Sequence, residues 1–133
     1  MIRFLRQRRA IKSIVRRLPL VIHRQFGPRS SYSIDQVNRA LDRSEMDSAF
    51  AAYAHALLCN REDFDAYYGP LNLRCDYLSL RRKMAKRFLS GIIDFDAQSV
   101  YRYALDYGRQ YISDEFCESG LGQDGATGVE SNH

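Results

Sequence analysis

Residues 1–29 read MIRFLRQRRAIKSIVRRLPLVIHRQFGPR, and the pattern in this stretch decides the fold class. It holds nine basic residues and no acid; the first carboxylate of the chain is Asp35. On a helical wheel Phe4, Ile11, Ile14, Val15 and Leu18 fall within a strip about 100° wide, the width of one buried helix face. Arg3, Arg6, Arg9, Lys12, Arg16 and Arg17 lie outside that strip. The stretch therefore predicts a helix over about 2–18, with one side that needs a core and one side that is strongly cationic. Ile2 and Leu5 fall among the arginines, where exposed apolar groups favour contact with a membrane or a partner.

The same logic carries along the chain. Leu18-Pro19 marks a break, because proline disfavours helix at the preceding residue and suits a new first turn. A short helix over 19–26 follows and stops at Gly27-Pro28. Ser33-Ile-Asp-Gln36 is a capping-box pattern that opens a helix to about Arg43. Asp47 or Ser48 caps an alanine-rich helix, Ala49 to Cys59, whose small side chains allow close neighbours and a central place. Asn60 caps Arg61–Tyr68, and Gly69-Pro70 stops it. Asp76 caps Tyr77–Ser90, with Gly91 as the C′ glycine. The last helix runs from Ala97 to about Glu115, with Val100, Ala104, Tyr107 and Tyr111 on one strip. Residues 119–133 hold four glycines and almost no bulky apolar side chain. They bury too little to offset their ordering entropy, which predicts a disordered acidic tail.

The expected architecture is thus all-α: one bundle of about six short helices over residues 1–118, with the tail behind it. The length of 133 residues suits one domain, and 45% hydrophobic with 27% charged residues is a globular composition. The net charge of +4 conceals an asymmetry. Residues 1–29 carry +9, while residues 30–133 carry eleven bases and sixteen acids, a balance of −5. Cys59, Cys75 and Cys117 are odd in number and widely spaced, a pattern of free, mostly buried thiols in a reducing compartment. The apolar run Leu18–Ile22 contains Pro19 and is too short for a signal peptide or a membrane span. A transit peptide shares the Arg-rich, acid-free composition of the start, but the apolar strip continues smoothly into the domain.

Several short strings in order resemble a known family: Arg9-Ala-Ile-Lys-Ser13, Leu18-Pro19, Phe26-Gly27, Tyr32-Ser33, Gln36-Val37, Tyr53-Ala54, Phe64-x-x-Tyr67 and Cys75-Asp76-Tyr77-x-x-Leu80-Arg81. The chain is similar over residues 3–90 to an uncharacterised bacterial family of small proteins, classed as a domain of unknown function. The last helix matches poorly. That resemblance implies a bacterial cytoplasmic setting and supplies no catalytic or binding residue.

Function rests on the cationic helix. Such a helix can lie on an anionic membrane, seat against an acidic protein, or meet nucleic-acid phosphates. Its plain alternative is an ordinary first helix with a solvated face. A second basic cluster, Arg81, Arg82, Lys83, Lys86 and Arg87, is expected opposite the strip Tyr77–Leu80–Met84–Phe88, where it could extend the first. Helices 34–43 and 49–59 do not make a helix-turn-helix reader, since the second carries no Arg or Lys to reach bases or phosphates. Gly120-Leu-Gly122-Gln-Asp-Gly125 matches the dinucleotide pattern as text only, lacking the strand and helix that give it meaning. His55 and Cys59 share a helix face, but no further ligand has matching spacing, so a buried histidine and thiol are expected. Asp63-x-Asp65 and Asp94-x-Asp96 sit at helix starts, where carboxylates stabilise free amides.

The sequence therefore predicts a non-catalytic binding or adaptor protein with no cofactor and no metal. Arg3, Arg6, Arg9, Lys12, Arg16, Arg17, Arg82, Lys83 and Lys86 form its binding face, toward an acidic protein partner or an anionic membrane surface. The alternative is a nucleic-acid-binding accessory protein using the same arginines and the 81–87 cluster. The expected place is the cytoplasm, including the inner face of the membrane.

Overall fold

The computed structural model describes the backbone of residues 2–71 and 75–119, and the side chains of residues 5–71 and 75–109. Among the described residues every regular element is helical: α1 Ile2–Arg16, α2 Leu18–Phe26, α3 Ile34–Arg43, α4 Ala51–Leu58, α5 Arg61–Tyr68, α6 Tyr77–Phe88 and α7 Ala97–Ser119. A single 3₁₀ turn, Ser48–Phe50, leads into α4. The all-α bundle is as expected; counting α1 and α2 separately makes seven helices. The predicted disordered tail and the glycine pattern at 120–125 lie outside the described residues.

The alanine-rich α4 is the axis of the bundle. Every residue from Tyr53 to Cys59 is buried, and α4 touches α1, α3, α5, α6 and α7. Ala54 and Ala56 let backbones approach closely, while Leu57 and Leu58 fill the space between helices. Ile11, Ile14, Val15 and Leu18 insert from α1 and α2, so these four residues of the apolar strip are core; the Phe4 side chain lies outside the described residues. Burying each such side chain contributes about 1.5–3 kcal/mol.

Proline sets the joint between α1 and α2. Pro19 has no N–H to offer the preceding turn, so the ladder breaks at Arg17. Arg17 donates its amide to Ser13 at 2.8 Å, and its carbonyl accepts from Leu20 and Val21 at 3.1 and 3.2 Å. Beyond Gly27, held at φ 84°, the connecting segment is pinned at both ends. Tyr32 donates its amide to Leu58 O at 2.8 Å, and Ala97 donates to Ser30 O at 3.0 Å. These contacts lay α7 antiparallel along α2 and α1. Gln98 Nε2 donates to Arg29 O at 2.8 Å, Tyr101 stacks on His23 with centroids 3.8 Å apart, and Tyr107 meets Arg16.

Several boundaries differ from expectation. The segment after Asp47 begins as a 3₁₀ turn, because Asp47 Oδ1 takes the amide of Ala49 and tightens the entry. Helix α6 ends at Phe88, two residues before Ser90. Ser90 (φ 55°) and Gly91 (φ 82°) both turn left-handed, and Gly91 N–H reaches Ala85 O at 2.9 Å. Helix α7 continues past Glu115 to Ser119.

Candidate binding surface

Helix α1 presents its polar side outward, but the cations on it have unequal fates. Arg9, Lys12 and Arg17 are exposed, and their side chains make no hydrogen bond or ion pair among the described residues. Arg6 is 61% exposed, yet its Nε donates to Asp47 Oδ2 at 2.8 Å and its guanidinium lies 5.7 Å from the Phe50 ring centroid. That hydrogen bond, with one from the Ala49 amide, holds the Asp47 carboxyl below its ordinary pKa. An exposed pair of this kind contributes at most about 1 kcal/mol, so a stronger acidic ligand can displace Asp47. The Arg3 side chain lies outside the described residues.

Arg16 departs from the expected solvent-facing role. It is half-buried: one guanidinium nitrogen donates to Tyr107 Oη at 3.0 Å, and the group stacks 4.0 Å over the Tyr107 ring and 5.4 Å from Phe88. Its Nε is buried and finds no acceptor among the described residues. Arg16 is therefore a link between α1 and α7. The cause is α7, which crosses the polar side of α1 there and covers it with a ring.

Arg81 corrects the reading of the second cluster. It shares a face with Tyr77 and Met84 and is only 6% exposed. Its guanidinium donates to the carbonyls of Ala56 (2.9 Å), Ile93 (3.2 Å) and Phe95, and lies 3.7 Å over the Phe95 ring. Burial lowers its pKa, and carbonyls and ring faces take the place of a carboxylate partner. Arg82, Lys83 and Lys86 remain exposed. Packing does bring Lys83 to α1: its Nζ and Gln7 Nε2 both donate to Tyr53 Oη, at 3.1 and 3.0 Å.

Two depressions flank the outer side of α1 and α2. The first, about 510 Å³, lies between α1 and the turn Glu45–Asp47, with Leu5, Arg9, Ser13 and Met46 on its walls. The second, about 610 Å³, lies between α2 and the end of α3, with Leu20, Val21, Arg24 and Arg43 on its walls. Arg17 lines both, and residues 43–47 run consecutively along their far side, so the two depressions are read as one groove. Neither Arg24 nor Arg43 belongs to the face expected from the sequence. Residues 17 and 24 are seven apart, two turns along one helix face, but only the packing of α2 on α3 brings Arg43 to them.

The expected buried pair on α4 is present. His55 is 2% exposed, with Nδ1 2.6 Å from Tyr68 Oη and Nε2 2.7 Å from Asn38 Oδ1. The amide oxygen can only accept, so Nε2 carries the proton and Nδ1 accepts from the tyrosine. Burial lowers its pKa to about 4 and raises the Cys59 thiol to about 12, which leaves a neutral ring and an unreactive thiol. Cys75 is also free and half-buried. Asp76 and Asp96 are caps, each accepting at 2.9 Å from the amide three residues on.

The profile of a family of unknown function, DUF6559, matches residues 1–132. The chain belongs to that family. The match extends well beyond the 3–90 span of the resembling strings and takes in α7, so the DUF6559 unit includes every helix of the bundle. No curated protein and no solved structure matches the chain. No helix among the described residues of this DUF6559 member is long and apolar enough to cross a membrane.

Proposed function

We propose that the protein is a non-catalytic binding or adaptor protein whose cationic first helix meets an acidic protein partner. The observation that supports this reading is the state of Arg9 and Lys12 on α1 and of Arg17 at the joint behind it: three exposed cations, unpaired among the described residues. Arg24 and Arg43 extend the charge along a groove. The surface there is concave and partly apolar, which suits a protein segment better than a flat bilayer. Among the described residues its walls carry no aromatic ring on which a base could stack.

The test compares the intact chain with an Arg9→Glu/Lys12→Glu/Arg17→Glu variant in affinity pull-downs, followed by direct binding to any captured protein over a salt series. The reading expects an acidic protein held by the intact chain, lost by the variant, and weakened as salt screens the contact. Identical partner lists remove the basis for it. Anionic vesicles or a DNA oligonucleotide tested alongside decide the other classes. Vesicle flotation that survives salt sufficient to release DNA favours a membrane role through apolar insertion. Binding to DNA whose logarithm falls with log salt by about 0.7–0.9 per phosphate favours the nucleic-acid role.

A further inference from the structure

The groove along α1 and α2 has more definition than a charged face. Its apolar lining is Leu5, 53% exposed, with the half-buried Met46, Leu20 and Val21. Its rim offers Arg9, Arg17, Arg24 and Arg43, while the carboxylates nearby are Glu45 and an Asp47 already engaged by Arg6. Apolar side chains in a furrow, with Arg9, Arg17 and Arg24 along the α1–α2 bank and Arg43 facing them beside Glu45 and the engaged Asp47, complement a helix bearing an apolar seam and flanking carboxylates. Among the described residues no strand offers a sheet edge for an extended segment to join.

We infer that this groove docks one amphipathic acidic helix of a partner protein, seam on Leu5, Leu20, Val21 and Met46, carboxylates against Arg9, Arg17, Arg24 and Arg43. The inference rests on the acidic-partner reading and specifies the shape of what binds. The turn at Arg17 is central to it. The break that Pro19 imposes ends α1 and starts α2 with Arg17 exposed between them, so one guanidinium serves both halves of the groove. Arg43 projects from the last turn of α3 on the opposite bank. Charge sets the on-rate and orientation, and the apolar seam supplies the discrimination against other acidic chains.

The test uses the full chain and a fluorescently labelled helical peptide about 16 residues long, some four turns. The peptide carries leucines at i, i+3, i+4 and i+7 spacing and glutamates on the flanks. A second peptide of identical composition has its leucines scattered around the helix. Anisotropy titrations should show the seamed peptide binding at least about tenfold more tightly, a difference of about 1.4 kcal/mol. Leu5→Glu and the pair Arg17→Glu/Arg43→Glu should each remove most of that preference while the urea midpoint stays close to that of the parent. Amide shift changes on titration should centre on Leu20, Val21, Ser44 and Met46. Equal affinity for the two peptides overturns the groove inference but leaves the acidic-partner reading standing, as contact by diffuse charge. Shift changes confined to α6 or α7, or no binding of either peptide, overturn the groove inference as well. The reading itself falls only on the pull-down comparison.

Discussion

His55 is a polar ring at the centre of an apolar helix, tolerated because Asn38 and Tyr68 satisfy both nitrogens. Its lowered pKa makes stability depend on pH. The unfolded ring takes a proton near its ordinary value of 6.5, whereas the buried ring refuses one until about pH 4. Between those values the unfolded chain binds more protons, so acid favours unfolding and stability rises with pH across that window. Urea titrations at pH 7 and pH 4 should differ by something on the order of 3 kcal/mol from this group. His55→Gln should be less stable at pH 7 and show a shallower slope between pH 6.5 and 4; an unchanged slope would assign the acid sensitivity elsewhere. That His55 is buried was legible, because it stands among alanines and leucines. Its partners were not, since Asn38 and Tyr68 lie on other helices. Arg81 marks the same boundary. Its neighbours Arg82, Lys83, Lys86 and Arg87 suggest a solvated run, and only the carbonyls of Ala56, Ile93 and Phe95 show why this one turns inward.

Helices α3, α5, α6 and α7 start where capping chemistry says they should. Ser33 Oγ accepts from the Gln36 amide at 3.1 Å, and Gln36 Oε1 accepts from the Ser33 amide at 3.0 Å, closing the predicted box. Asn60 and Asp76 fill the same place for α5 and α6. Replacing Ser33 leaves an orphan amide at the head of α3, so Ser33→Ala should cost about 1 kcal/mol. Ser33→Asp should recover most of it, and chemical denaturation of the three proteins checks both. Starts are legible because a cap spans only three residues of sequence. Ends are less so: α6 stops at Phe88, short of the expected Ser90, and the left-handed turn takes in Ser90 as well as the expected Gly91.

For the molecule as a whole, α1 carries the proposed docking surface and is part of the core, and the two cannot be separated by truncation. Removing residues 1–17 takes away Ile11, Ile14 and Val15, all buried. At about 1.5–3 kcal/mol each, their loss is comparable with the whole stability of a typical domain, about 5–15 kcal/mol. The truncated chain should therefore lose its cooperative thermal transition, as circular dichroism would show. A cooperative transition near that of the intact chain would mean that α1 is peripheral. Charge reversals at exposed positions are the right probes of binding for that reason. What the amino-acid order determined by itself is everything set within a few residues: the helical class, the caps, the break at Pro19 and the side of each helix that turns inward. Those follow from hydrogen bonds and periodicities that close within one or two turns. Which cations stay in solvent was decided only in three dimensions. Arg16 is taken up by Tyr107, Arg81 by carbonyls from two segments, and Arg17, Arg24 and Arg43 gather around one groove because α2 packs on α3. Long arginine side chains reach whatever the packing of helices brings near, and that packing depends on residues far apart in the chain.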